Sequence, residues 1–351
     1  MLAYDTTPAL PDVSIIIVAY GDQPLLERSV ASCLQSANVN IEVILVDNGC
    51  TDGAIETFRD DPRIKIIEPS RNIGFTGGCH IGRSHATAPF MMLLNPDAIV
   101  EKNAVTELRR VATRVDVGVT TASLRLHNDP ENINAAGNDV HFLGLSWCRG
   151  FGQHFSNYSV EEEVIAASGA AMMIRCEVWD RLSGFAENFF AYYEDVEFSI
   201  RVWQSGLSVI FVPTAIVYHD YQFSANKSKL WLLDRNRILT LLTVYEWRTI
   251  IALAPLLFLQ EIGFIGVSAS QGWFKDRVRS IWLIMRDLRA LHQRRKVILD
   301  HRSKSDASYI WRFATTVAPG NYSLPKLLIW TQAPLRIYWQ LVMRLLRCKP
   351  S

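Results

Sequence analysis

The sequence predicts an α/β fold: a mostly parallel, Rossmann-like sheet flanked by helices, with a helical region appended at the C-terminal end. Three observations carry this expectation. Runs rich in β-branched residues alternate with helix-periodic segments from Val13 to Ala122, the pattern of successive β-α-β units. Phe90–Leu94 is apolar without alternation, as a strand covered on both faces must be. Beyond about residue 240 the strand signal disappears, and Trp, Leu and Ile recur with Arg and Lys at helical spacing.

The elements follow in order. Val13–Ala19 is a strand by its Val and Ile content, and Pro24–Ser36 has helical periodicity. Ile41–Val46 is a second strand ending at Asp47-Asn48-Gly49, after which Thr51 and Asp52 can cap a short helix to Phe58. Ile64–Ile67 is a third strand, Gly77–Ala86 a helix, and Phe90–Leu94 a fourth strand closed by Asn95-Pro96. Asn103–Arg114 reads as a helix and Val117–Ala122 as a fifth strand. Residues 124–163 lose periodicity and are expected to form loops over the sheet. Strong pattern returns at Ala166–Ile174, followed by short helix Cys176–Leu182, an aromatic stretch to Tyr193, helix Glu194–Gln204 and strand Ser208–Val212. Thr249–Ala269 has spanning length, but Pro255 interrupts it and Gln260-Glu261 places a carboxylate near its centre. Ser280–Arg302 and Leu324–Arg347 read as basic amphipathic helices suited to an interfacial plane.

Charge divides the same way. The net charge of +1 over 351 residues conceals 16 Lys and Arg against four acids in residues 271–351, and 20 against 31 in residues 1–270. An acidic body with a basic tail implies an anionic partner for the tail, a membrane surface or a nucleic acid; any one of these helices reads equally as part of a helical subdomain packed on the body, and the charge balance favours membrane-surface association. Six cysteines without CxxC spacing fit a reducing compartment, and the polar first dozen residues lack a signal-peptide core. The expected location is therefore cytoplasmic, peripheral on the inner face of the plasma membrane.

Chemistry gathers at strand ends. Asp97 follows a buried strand, where ligands of open α/β sheets bind, and a carboxylate there can hold a divalent cation against a phosphate. Asp47 reads either as an acceptor for a base NH or ribose hydroxyl, or as a cap for the short helix after it. Asn72-Ile-Gly-Phe-Thr-Gly-Gly (Gly74, Gly77, Gly78) reads as amides around a pyrophosphate or as an ordinary glycine turn. Glu194-Asp195, beside five residues rich in aromatics, reads as helix-dipole capping or as a general base with a neighbour. His219 reads as a metal ligand or as a hydrogen-bonded structural residue.

Taken as an ordered set, Val-Ser-Ile-Ile-Ile-Val-Ala-Tyr, Val-Asp-Asn-Gly-Cys-Thr-Asp-Gly, Asn-Ile-Gly-Phe-Thr-Gly-Gly, Leu-Leu-Asn-Pro-Asp-Ala, Gly-Phe-Ala-Glu-Asn-Phe-Phe-Ala-Tyr-Tyr-Glu-Asp and a later His resemble the family 2 inverting glycosyltransferases. The likeness is to their bacterial rhamnosyltransferase and galactofuranosyltransferase branch. It covers residues 12–240 and includes Arg235-Asn236 after the histidine.

The resemblance implies a GT-A fold and transfer of a sugar, L-rhamnose or alternatively galactofuranose or another hexose. The donor would be dTDP-rhamnose or a UDP-sugar, and the acceptor a lipid-linked glycan or cell-surface polysaccharide. It also implies Mg²⁺ or Mn²⁺ as cofactor. By position, Ala19, Tyr20, Asp47, Asn72, Gly74, Gly77, Gly78, Asn95 and Asp97 would bind the donor. Asp97 and His219 would hold the metal, Asp195 would be the base and Glu194 its support. The implied division is an N-terminal extension (1–11), a GT-A domain (12–240) and a membrane-associating helical region (241–351).

Two other readings stand further off. A sugar-1-phosphate nucleotidyltransferase wants a basic loop after the first strand, and Ala19-Tyr20-Gly21-Asp22 has no cation. A non-catalytic scaffold or nucleic-acid binder would use the basic tail on phosphates.

Overall fold

The structure, a computed structural model, describes residues 10–221, 227–320 and 326–348. Most of the expected N-terminal extension, and the Leu324-Pro325 start of the last amphipathic segment, lie outside the described residues.

The chain runs β1 (Val13–Gly21), α1 (Leu26–Leu34), β2 (Ile41–Cys50), β3 (Ile64–Ile67), α2 (Gly74–His85), β4 (Phe90–Leu94), β5 (Ala98–Val100) and α3 (Ala104–Ala112). It continues through β6 (Val117–Leu126), β7 (Asp129–Ala135), β8 (Asn138–Val140), β9 (Ser146–Cys148), β10 (Glu162–Glu163), β11 (Ala171–Arg175), α4 (Cys176–Arg181), α5 (Glu194–Gln204) and β12 (Ser208–His219). Helices α6 (Lys227–Val244), α7 (Trp247–Ser270), α8 (Phe274–Arg286), α9 (Leu288–Asp300) and α10 (Lys326–Leu345) follow.

The central sheet has the order β10-β12-β6-β11-β4-β1-β2-β3, with β5 and β7 pairing outside that path. β1 is parallel to both β2 and β4, and β12 is parallel to β6. β11 runs antiparallel between β4 and β6, which leaves β4 and β6 pointing the same way. The C-terminal ends of β2, β1, β4 and β12 therefore share one edge, where the strand-end residues collect. Alternate residues of β1 enter two cores: Ile16 and Val18 pack on one face, Val13, Ile15 and Ile17 on the other. Gly78 and Gly82 let α2 lie close on this sheet, since an added Cβ would come within 2.5 Å of Val18 and of Ile16 respectively.

Several expectations need correction. Residues 124–163 are not loops alone: β6 extends to Leu126, β7 pairs with it, and β8 and β9 form a hairpin. The final strand passes a register shift between Val212 and Ile216 and ends at His219, which places that histidine in the sheet. The helix expected at Gly77 starts at Gly74, and the segment expected as one helix over 280–302 is two helices meeting near Asp287. Pro255 does not end α7, a helix of 24 residues with the proline inside it. Residue 240 lies within α6, which packs on α5 as well as on α8 and α9.

Candidate functional site

At the shared edge, β1 and β2 set Ala19 opposite Asp47. Tyr20, the next residue, is 58% exposed with its ring beside Gly49, so it presents an open aromatic face next to a carboxylate. Asp47 Oδ1 accepts from the amides of Gly49 and Cys50 at 3.1 and 2.8 Å, a turn that fixes the side chain. Those bonds occupy one carboxylate oxygen only.

The glycine segment is bracketed by two asparagines. Asn72 Oδ1 accepts from the Gly74 amide at 2.8 Å and from Asn48 Nδ2 at 2.9 Å, while Asn48 Oδ1 accepts from the Ile73 amide at 2.9 Å. Gly74 stands at φ +75°, and a Cβ there would lie 2.4 Å from the Phe190 carbonyl oxygen. Gly77 and Gly78 lie within α2, Gly77 against Ile73 and Gly78 against Val18. Close packing thus accounts for these glycines without a ligand.

Asp97 and His219 meet. His219 is 5% exposed, and its Nε2 lies 3.2 Å from Asp97 Oδ1 and 3.2 Å from Asn95 Nδ2. Its other nitrogen, Nδ1, lies 2.9 Å from Asn134 Oδ1. An amide oxygen can only accept, so Nδ1 carries the hydrogen and Nε2 the lone pair in the neutral ring. Asp97 Oδ1 is accordingly buried without a hydrogen bond, an acceptor facing an acceptor. Asp97 and His219 are the residues here that would hold a divalent cation. No third His, Cys, Asp or Glu completes a metal cluster among the described residues.

The acid pair begins α5. Asp195 Oδ2 accepts from the Gly169 amide at 2.8 Å and from Asn138 Nδ2 at 3.1 Å, and Oδ1 from the Val196 amide at 2.8 Å. Burial raises the Asp195 carboxyl above the ordinary range, against the lowering effect of these donors. Glu194 is 6% exposed, its Oε2 has no partner, and burial followed by repulsion from Asp195 pushes its pKa well up. Of the two, Asp195 is the acid equipped to hold charge. The turn 168–170 joins the two groups of residues: Gly169 donates to Asp195, and Ala170 O accepts from the Asn95 amide at 3.0 Å.

Just before the acids, Phe190, Tyr192 and Tyr193 all have positive φ (66°, 71° and 70°). Three such non-glycine residues cost on the order of 1–3 kcal/mol each and persist only when surroundings impose them. Helix α6 supplies that restraint. Asn236, fully buried, directs Nδ2 at the carbonyls of Phe189, Ala191 and Tyr192 at 3.0, 2.9 and 2.7 Å. Arg235 Nη2 donates to the Asn188 and Phe189 carbonyls, each at 2.9 Å. From the other side, the Thr76 amide donates to Phe190 O at 3.1 Å. Asn236→Ala is expected to release the strain and displace the acids, lowering kcat on the order of 10²-fold while donor KM stays nearly unchanged. Steady-state kinetics check this; equal losses in kcat and donor affinity would oppose a positioning role.

Sequence reading missed Asn134 and Asn138, which orient His219 and Asp195. Both lie in the segment read as loop, and their signal was slight: two asparagines four apart on either side of Gly137, among other polar residues such as Asn132 and Asp139.

The model of a family described as "Glycosyltransferase like family 2" matches residues 11–238. An N-acetylglucosaminyl-diphospho-decaprenol L-rhamnosyltransferase of Mycobacterium tuberculosis is 25% identical over 251 residues, 63% of this chain and 79% of that protein. A low-salt glycan biosynthesis hexosyltransferase of Haloferax volcanii is 24% identical over 57% of this chain and 64% of its own length. Among solved structures, GalNAc-T7 with UDP, GalNAc and Mn²⁺ aligns with a TM-score of 0.57 at 16% identity, covering 74% of this chain and 55% of that one. A mannosyltransferase from Pyrobaculum calidifontis with GDP-Man and Mn²⁺ aligns at 0.52 with 14% identity, covering 84% and 86%.

Proposed function

The chain belongs to glycosyltransferase family 2 and is a sugar-transferring enzyme of GT-A fold; from that premise we propose that it transfers L-rhamnose, with inversion, from a nucleoside-diphosphate donor to a hydroxyl of a lipid-linked glycan or cell-surface polysaccharide. The rhamnosyl choice is supported by the mycobacterial relative; dTDP-rhamnose is the first donor to test and UDP-sugars the next. The observation that carries the mechanism is the turn 168–170, with the Asp97–His219 pair bonded through Asn95 on one side and Asp195 on the other.

In this reading Tyr20 stacks on the base and Asp47 accepts from base or ribose, while the segment from Asn72 to Gly78 flanks the diphosphate. Asp97 and His219 would hold Mg²⁺ or Mn²⁺, which when bound neutralises the departing diphosphate. Asp195 takes the proton of the acceptor hydroxyl, whose oxygen attacks the anomeric carbon as the bond to diphosphate breaks. One displacement inverts that carbon. Glu194, buried beside Asp195 with its pKa pushed well up, backs Asp195 without competing for the hydroxyl. Residues 12–240 would form the catalytic domain and 241–351 the part that keeps the enzyme peripheral on the cytoplasmic face of the membrane.

A donor screen tests the reading: purified protein, dTDP-rhamnose or UDP-sugars, and a prenyl-diphosphate-linked acceptor, with nucleoside-diphosphate release followed with and without Mn²⁺. Acceptor-dependent release from dTDP-rhamnose that stops on chelation is expected. Release that ignores the acceptor, or persists undiminished in chelator, would oppose it.

A further inference from the structure

We propose that the outer faces of α7, α8 and α10 form a docking surface for an anionic lipid bilayer, on which α7 lies flat instead of crossing. This deepens the membrane placement proposed above and rests on it for its biological sense.

α7 is long and apolar enough to span: it has 24 residues and contains an 18-residue stretch with a mean hydropathy of 2.1. Its inner face is nevertheless bound to the body at both ends and in the middle. Thr249, Leu253 and Ser268 are buried. At the centre, Glu261 bonds Arg237 at 2.6 Å and also pairs with Arg277, and Asp234 pairs with both arginines. Each arginine is 1% exposed, and both guanidinium groups lie over the Phe264 ring, at 4.8 and 5.4 Å from its centroid. Withdrawing α7 into hydrocarbon would carry a carboxylate with it and leave two buried cations sharing one acid.

Among the described residues, none covers the opposite face. Ile251, Phe258, Leu259 and Ile262 are 51–70% exposed. α8 and α10 pack beside α7, and they add exposed Val278, Trp282 and Met285, and Ile337, Leu341 and Leu345. Exposed Lys275, Arg279, Arg286, Arg336 and Arg344 are interspersed on these two helices. A second copy would bring these like charges together, whereas an anionic bilayer accepts both the apolar face and the cations.

The test is flotation of the full chain with phosphatidylcholine vesicles and with vesicles containing phosphatidylglycerol, in wild type and in the single variants Ile262→Glu and Trp282→Glu. Wild type is expected to float with the anionic vesicles and to be released by alkaline carbonate or about 1 M salt. Each variant is expected to bind on the order of tenfold more weakly, with unfolding temperature and turnover onto a soluble acceptor unchanged. Unchanged flotation in both variants would overturn the surface. Retention in carbonate would show a span, and an oligomer dissolved by the variants would show a second copy; either overturns the proposal. Flotation involves no sugar, so its failure and the failure of the transfer assay are separately visible.

Discussion

Asp195→Asn is expected to lower transfer by about 10²–10⁴-fold, the usual contribution of a general base, while nucleoside-diphosphate affinity persists. Asparagine keeps the shape, and its amide oxygen can still accept from the Gly169 and Asn138 donors that bond Oδ2. It cannot take a proton. The same chemistry sets the pH dependence. Burial raises the Asp195 carboxyl, so the base becomes protonated at a pH above the ordinary carboxylate range, and kcat/KM falls as pH drops through that raised value. Glu194→Gln should act differently. Burial, with Asp195 nearby, raises Glu194 as well; the protonated side chain contributes stability that is lost as pH rises through its raised pKa. The neutral amide keeps that stability at higher pH and leaves the base in place, so its kinetic effect should be the smaller of the two. Donor affinity falling in parallel with turnover in Asp195→Asn would count against the base role.

Asp97→Ala is expected to weaken nucleoside-diphosphate binding in Mn²⁺ on the order of 10²-fold or more, and to remove most of the difference that chelation makes in wild type. The reason is the sparse ligand set. The described residues offer one carboxylate and one imidazole, and a hard dication takes about six oxygen or nitrogen ligands. Diphosphate oxygens and water must supply the remainder, so metal and donor bind together or weakly. Calorimetric titration of Mn²⁺ should give little heat with protein alone and a clear isotherm once nucleoside diphosphate is present. His219→Ala should follow the same pattern. Asn134→Ala should weaken it by about 10–100-fold, because the bond at Nδ1 fixes which nitrogen faces Asp97. Tight Mn²⁺ binding by the free protein would contradict this scheme.

What could be read in advance depended on periodicity. The strands that build the sheet are unbroken β-branched or apolar runs, and their ends mark Ala19, Asp47 and Asp97 in the sequence itself. The direction of β11 was hidden, because Ala171–Arg175 is buried on both faces whichever way it runs. β7 to β9 were hidden for another reason. They are short, polar at their starts and stabilised by edge pairing, so Asn134 and Asn138 stood in a stretch with no period to mark them. Asn236 and Arg235 were noticed only as part of a resemblance. Their purpose depends on a loop some 45 residues earlier whose left-handed backbone no aromatic sequence announces. Glu261 gave the opposite lesson: a carboxylate that looked like an obstacle inside an apolar helix is what fixes that helix to the body.

The most direct measurement of the central claim is the anomeric configuration of the product, read by NMR from the transfer reaction with a donor of known configuration. A single displacement assisted by Asp195 gives a product inverted at the anomeric carbon. Retention of the donor's configuration would contradict it.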